Sequence, residues 1–81
     1  MEKTTLVKDF YSACVLRCFD LPISKLVKSE DRFVIFVFNA DPQICERILS
    51  DFWNRKLSIE PRKFIENINE LKTRIHEVLK K

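Results

Sequence analysis

The chain has 81 residues, 46% of them apolar with seven Phe, one Trp and one Tyr, and a formal net charge of +3. That length makes one domain spanning 1–81, and the apolar content is too high for a disordered tail. No run reaches the ~20 apolar residues of a membrane span, and Glu2 and Lys3 follow Met1 where a secretory signal would turn apolar, so a cytoplasmic protein with no membrane partner is expected.

Thr4 to Val7 is a short β-leaning piece suited to an edge strand, interrupted by Lys8 and Asp9. From Asp9 to Asp20 the segment DFYSACVLRCFD reads as a helix capped by Asp9. At 100° per residue, Asp9, Ser12, Arg17 and Asp20 form its polar side, and Tyr11, Cys14, Val15 and Cys18 lie opposite. Leu21-Pro22 ends the helix, because Pro disfavours helical geometry in the residue before it. Ile23 to Lys28 then reads as a strand, and Ser29-Glu30-Asp31 as a polar turn into a second strand over Arg32–Asn39.

That second strand runs RFVIFVFNADP into a helix start. Phe33, Ile35 and Val37 point to one face, Val34, Phe36 and Phe38 to the other, and both sets are apolar. Such a strand is central in its sheet, and both faces need cover, either from the chain's own helices or from a second molecule.

Asp41-Pro42 opens a helix that reaches about Asn54, since Asp accepts from free N–H groups at the cap and Pro needs no donor at the first position. Ile44, Cys45, Ile48, Leu49, Phe52 and Trp53 make one wide apolar stripe, expected to pack on the hairpin. Arg55 to Glu60 is a connection in which Leu57 and Ile59 alternate as a very short strand or an anchored loop. Pro61 opens the last helix, which approaches Lys80. Its Phe64, Ile68, Leu71, Ile75 and Val78 are spaced 4, 3, 4 and 3, a seam that packs inside one domain or between two copies. Glu70 with Arg74, and Glu77 with Lys81, are i,i+4 pairs.

The sum is an α+β domain: a helix, a β-hairpin with a third short N-terminal strand, and two C-terminal helices. No glycine occurs anywhere, so turns fall to Asn, Asp, Ser or Pro, and a Gly-rich phosphate loop is excluded. No cofactor is expected.

Three groups of residues are candidates for chemistry. Cys14 and Cys18 sit one helical turn apart, and Cys45 with His76 would complete a Cys3His zinc set. The first two lie at the centre of an apolar helix face, however, where a free Cys behaves as a small hydrophobe, so we expect free core thiols and no metal. His76 flanks the seam of the last helix, and no strained elbow presents a Cys or Ser, so no catalytic residue is assigned and the protein is read as a non-enzyme. The third group is basic. Residues 54–81 carry eight basic and four acidic side chains, and Arg55, Lys56, Arg62 and Lys63 cluster near Trp53. Arg62 and Lys63 stand in the first turn of a helix, where the macrodipole disfavours positive charge, so these four residues form a candidate anion or nucleic-acid site.

The order of features also carries a resemblance. A first helix, a hairpin whose second strand holds F-V-F (Phe36, Val37, Phe38), a helix ending in DFWN, then LSIEPRKF and a helix with ELK resemble a family of small uncharacterised proteins of bacteria, archaea and their phages and plasmids, a domain of unknown function. The resemblance spans about Asp9 to Ile75 and is most specific from Phe52 to Phe64. Here Glu60 stands where the family tends to have Asp, and Asn54-Arg55-Lys56 where a glycine-containing turn is usual. The resemblance implies no catalytic residue. The expectation is a small accessory protein of mobile-element type acting through protein contacts, a homodimer along Phe64, Ile68, Leu71, Ile75 and Val78 or a contact with another protein, with nucleic-acid binding at 55–63 as the alternative.

Overall fold

A computed structural model of the protein describes residues 3–30 and 33–80. Its elements run β1 (Thr5–Val7), α1 (Phe10–Arg17), β2 (Ile23–Lys28), β3 (Val34–Phe38), α2 (Pro42–Trp53) and α3 (Pro61–Leu79). This is the α+β domain that the pattern implied. Asp31 of the expected turn, Arg32 at the expected strand start and Lys81 of the expected pair with Glu77 lie outside the described residues.

Each helix begins at a side-chain cap. The Ser12 N–H donates to Asp9 Oδ2 at 2.9 Å, the Gln43 N–H to Asp41 Oδ1 at 2.9 Å, and the Lys63 N–H to the Glu60 carboxylate. Pro42 and Pro61 follow their caps at the first helical position, where a missing N–H costs nothing. A cap of this kind stabilises its helix by about 1 kcal/mol. Glu60, which the sequence places in a connection, is thus the N-cap of α3. Leu57 and Ile59 before it are half-buried without regular structure, so that connection is an anchored loop.

The strands form one antiparallel sheet in the order β1-β3-β2, with β3 in the centre as its two apolar faces require. Val7 and Leu26 both lie opposite Phe36, and Leu6 lies opposite Val37. A bulge at Ser24 shifts the register between Ile23 and Lys25. Phe36 and Phe38 therefore share a face with Val7, Ile23 and Leu26, and this face packs on Ala13, Cys14, Leu16, Cys45 and Leu71 of the helices. Burying each Phe contributes about 1.5–3 kcal/mol.

The three helices make a single layer. α1 lies in the middle, with α2 on one side and α3 on the other, and α3 also touches β2. Two expectations change here. α2 packs chiefly on α1, and meets the hairpin through the core that its Cys45 shares with Phe36 and Phe38. Within α1, Ser12 is buried and Tyr11 is 56% exposed, the reverse of the helical-wheel assignment. The Ser12 hydroxyl tolerates burial because it donates to Asp9 Oδ2 at 2.8 Å, and the Tyr11 ring rests edge-on against Phe10 at 5.3 Å.

Candidate interaction surface

With all three helices on one face, the other face of the sheet has no second layer among the described residues. Register and alternation place Leu6, Val27, Phe33, Ile35 and Val37 there, together with Lys8 and Lys25. Leu6 is 64% exposed in the middle of β1, and Val27 on β2 and Phe33 before β3 are exposed as well. Lys8 Nζ stands 5.9 Å from the centre of the Phe33 ring, so a lysine rims this apolar strip.

β1 is also an edge, with β3 on one side only. Beyond its free edge a groove of about 490 Å³ runs between β1 and α2, lined by Leu6, Val7, Asp9, Cys45, Leu49 and Trp53 among others. Trp53 is 68% exposed and stacks edge-on against Phe52 at 5.2 Å. The α2 stripe is wider than α1 can cover, which leaves Ile44 and Trp53 outside. At the N-terminus of α2, the Gln43 N–H and the Lys3 ammonium at 3.1 Å hold the Asp41 carboxyl below its ordinary value. Sequence pattern alone does not reveal this groove. Its only signal was Trp53 at the margin of a stripe.

The basic segment is divided by the fold. Arg55 and Lys56 follow the end of α2, and Arg62 and Lys63 lie in the first turn of α3. Carboxylates stand against the second pair: Arg62 Nε is 3.8 Å from Glu66, and Lys63 Nζ is 3.3 Å from Asp20. The helix start that would hold a phosphate already receives the Glu60 side chain. Four cations thus share their surroundings with three anions.

The turn that follows Trp53 has a defined form. The Lys56 N–H donates to Asp51 O at 2.8 Å and the Arg55 N–H to Phe52 O at 3.2 Å, the paired bonds of a Schellman motif, with Arg55 at φ 60°. This turn leads through Leu57 and Ile59 to the Glu60-Pro61 cap, the segment on which the sequence resemblance is most specific. Residues 2–77 match the family described as "Domain of unknown function (DUF5659)". The chain belongs to that family. No curated protein and no solved structure matches the chain.

In this DUF5659 domain the α3 seam lies inside the protomer. Leu71 is fully buried in the core, and Phe64, Ile68 and Ile75 pack against the same cluster. Val78, the fifth residue of the expected interface, is half-buried. Heptad-like spacing here serves packing within one chain, most completely at Leu71.

The three cysteines of the DUF5659 domain are free and buried. Desolvation pushes the Cys14 thiol up to about 12, with the nearby Cys18 adding to the rise, and desolvation also raises Cys18. The Cys18 sulfur accepts from Asn67 Nδ2 at 3.5 Å. A thiol so raised is protonated at neutral pH and is neither a nucleophile nor a ready metal ligand. His76 is exposed on α3. No group of three or more metal-binding side chains occurs among the described residues, and no helix there is long and apolar enough to cross a membrane.

Proposed function

We propose that the protein is a small non-enzymatic accessory protein of the cytoplasm that acts through protein contacts, with self-association as the simplest. The observation that carries this reading is the apolar surface left open beside a free strand edge: Leu6 on β1, with Val27 and Phe33 on the open sheet face. Exposed apolar side chains gathered on one sheet face with lysines among them mark a docking surface more than singly scattered surface hydrophobes do. The burial of all three cysteines supports the non-enzymatic part, because the residue type best suited to nucleophilic attack is withheld from solvent. An origin in phages or mobile elements is supported by the resemblance carried on F-V-F, DFWN and LSIEPRKF. Size-exclusion chromatography with light scattering tests the reading. A dimer at micromolar concentration is expected, and a monomer at high micromolar concentration overturns it.

A further inference from the structure

We propose that two copies meet edge to edge along β1, antiparallel, about a two-fold axis through Leu6. The inference rests on the self-association reading above and names its surface.

The free edge of β1 presents main-chain donors and acceptors with no strand beside them among the described residues, a template for another strand. The segment Lys3-Thr4-Thr5-Leu6-Val7-Lys8-Asp9 is complementary to itself when reversed about Leu6. Leu6 then opposes its copy, Thr5 opposes Val7, Thr4 opposes Lys8, and Lys3 opposes Asp9. Opposite charges meet at both ends of the pairing, and residues of one face meet residues of the same face. A shift of one residue sets Lys3 against Lys8, and a shift of two sets Lys3 against Val7 or Leu6 against Lys8. Asp9 has extended backbone, φ −79° and ψ 126°, so the pairing can run out to it.

The helix side of the sheet agrees with this register. Lys3, Thr5, Val7 and Asp9 alternate onto that side, where the groove is lined by Asp9 and Glu46. The Lys3 ammonium of a second copy arrives at these carboxylates. Lys3 already donates to Asp41 at 3.1 Å, and an ammonium has three donors, so one lysine can hold Asp41 and the partner's Asp9 together. One strand pairing alone buries too little for a stable dimer, which buries about 800 Å² on each partner. The remaining contact comes from the groove itself, where the exposed Trp53 and the Leu49 beside it face the second copy across the axis. The product is a six-stranded sheet with all six helices on one face.

The test compares wild type with two substitutions. Leu6→Arg sets two guanidinium groups side by side at the axis and weakens dimerisation at least tenfold by light scattering, with the circular-dichroism melt unchanged because Leu6 makes little contact in its own fold. Leu6→Cys, opposed by its own copy, forms an interchain disulfide under mild oxidation, and Val27→Cys on the far strand does not. If wild type is dimeric yet Leu6→Arg stays dimeric and Leu6→Cys fails to cross-link, the proposal is overturned while self-association stands. A wild-type monomer at high micromolar concentration overturns both. Should Leu6→Arg aggregate, the cross-link decides alone.

Discussion

At the scale of single residues, a chain without glycine must place other side chains wherever the backbone turns left-handed. Asp20 and Arg55 do so, at φ 61° and 60°. Asp20 follows the rule that short polar side chains tolerate this region, but Arg55 has no such excuse. It occupies the position after the α2 cap where glycine is commonest, and the two Schellman bonds hold it there. A left-handed residue with a Cβ costs about 1–2 kcal/mol, and glycine gives back part of that through its looser unfolded chain. Arg55→Gly is therefore expected to stabilise the fold by about 0.5–1 kcal/mol, read as a higher urea midpoint at constant slope. A lower midpoint would mean that the arginine side chain contributes more than its backbone costs.

At the scale of elements, the boundaries were written in the sequence wherever a proline stands next to a cap. Asp41-Pro42 sets the start of α2 to the residue and β2 spans Ile23–Lys28 as its pattern implied, whereas α1 ends at Arg17, before the expected Asp20, which is left-handed at φ 61°. Glu60-Pro61 has the same form, with Glu, a rarer N-cap than Asp, in the capping position. Packing was less legible. The 4-3-4-3 spacing of Phe64, Ile68, Leu71, Ile75 and Val78 is the same whether the seam meets another copy or the chain's own core, and only the folded chain shows the core. Likewise β3 is equally apolar on both faces, so alternation could not tell which face the helices would cover. Substitution separates the two uses of the seam. Leu71, with no exposed surface, should cost about 2–5 kcal/mol on truncation to Ala, whereas the half-buried Val78 should cost less than about 1.5 kcal/mol. Thermal melts of Leu71→Ala and Val78→Ala check this. A Leu71→Ala protein that melts like wild type but no longer self-associates would return the seam to the interface.

At the scale of the whole molecule, the formal net charge of +3 and its concentration after Trp53 raise the question of a nucleic-acid partner. Salt dependence answers it quantitatively, because each phosphate neutralised contributes about −0.9 to the slope of log K against log salt on duplex DNA. Arg55, Lys56, Arg62 and Lys63 acting together as a phosphate site would give a slope of about −3.6. The fold sets Glu60, Glu66 and Asp20 among them. Exposed ion pairs are individually weak, so a phosphate can displace a cation from its partner, but the carboxylates stay nearby and repel it. One net positive charge remains for the cluster, and the expected slope is about −1. Alanine at all four positions should consequently change DNA retention little near physiological salt, since such shallow binding is already lost there. A wild-type slope near −3.6 that disappears in the four-alanine protein, with its fold intact by circular dichroism, would establish the basic segment as a nucleic-acid site. The proposed contact about Leu6 would respond to salt in a different way, for its Lys3–Asp9 pairs would sit at the ends and the Leu6 axis would carry no charge. Dimerisation should thus persist at salt concentrations that abolish any phosphate binding, and the two surfaces can be distinguished in one titration.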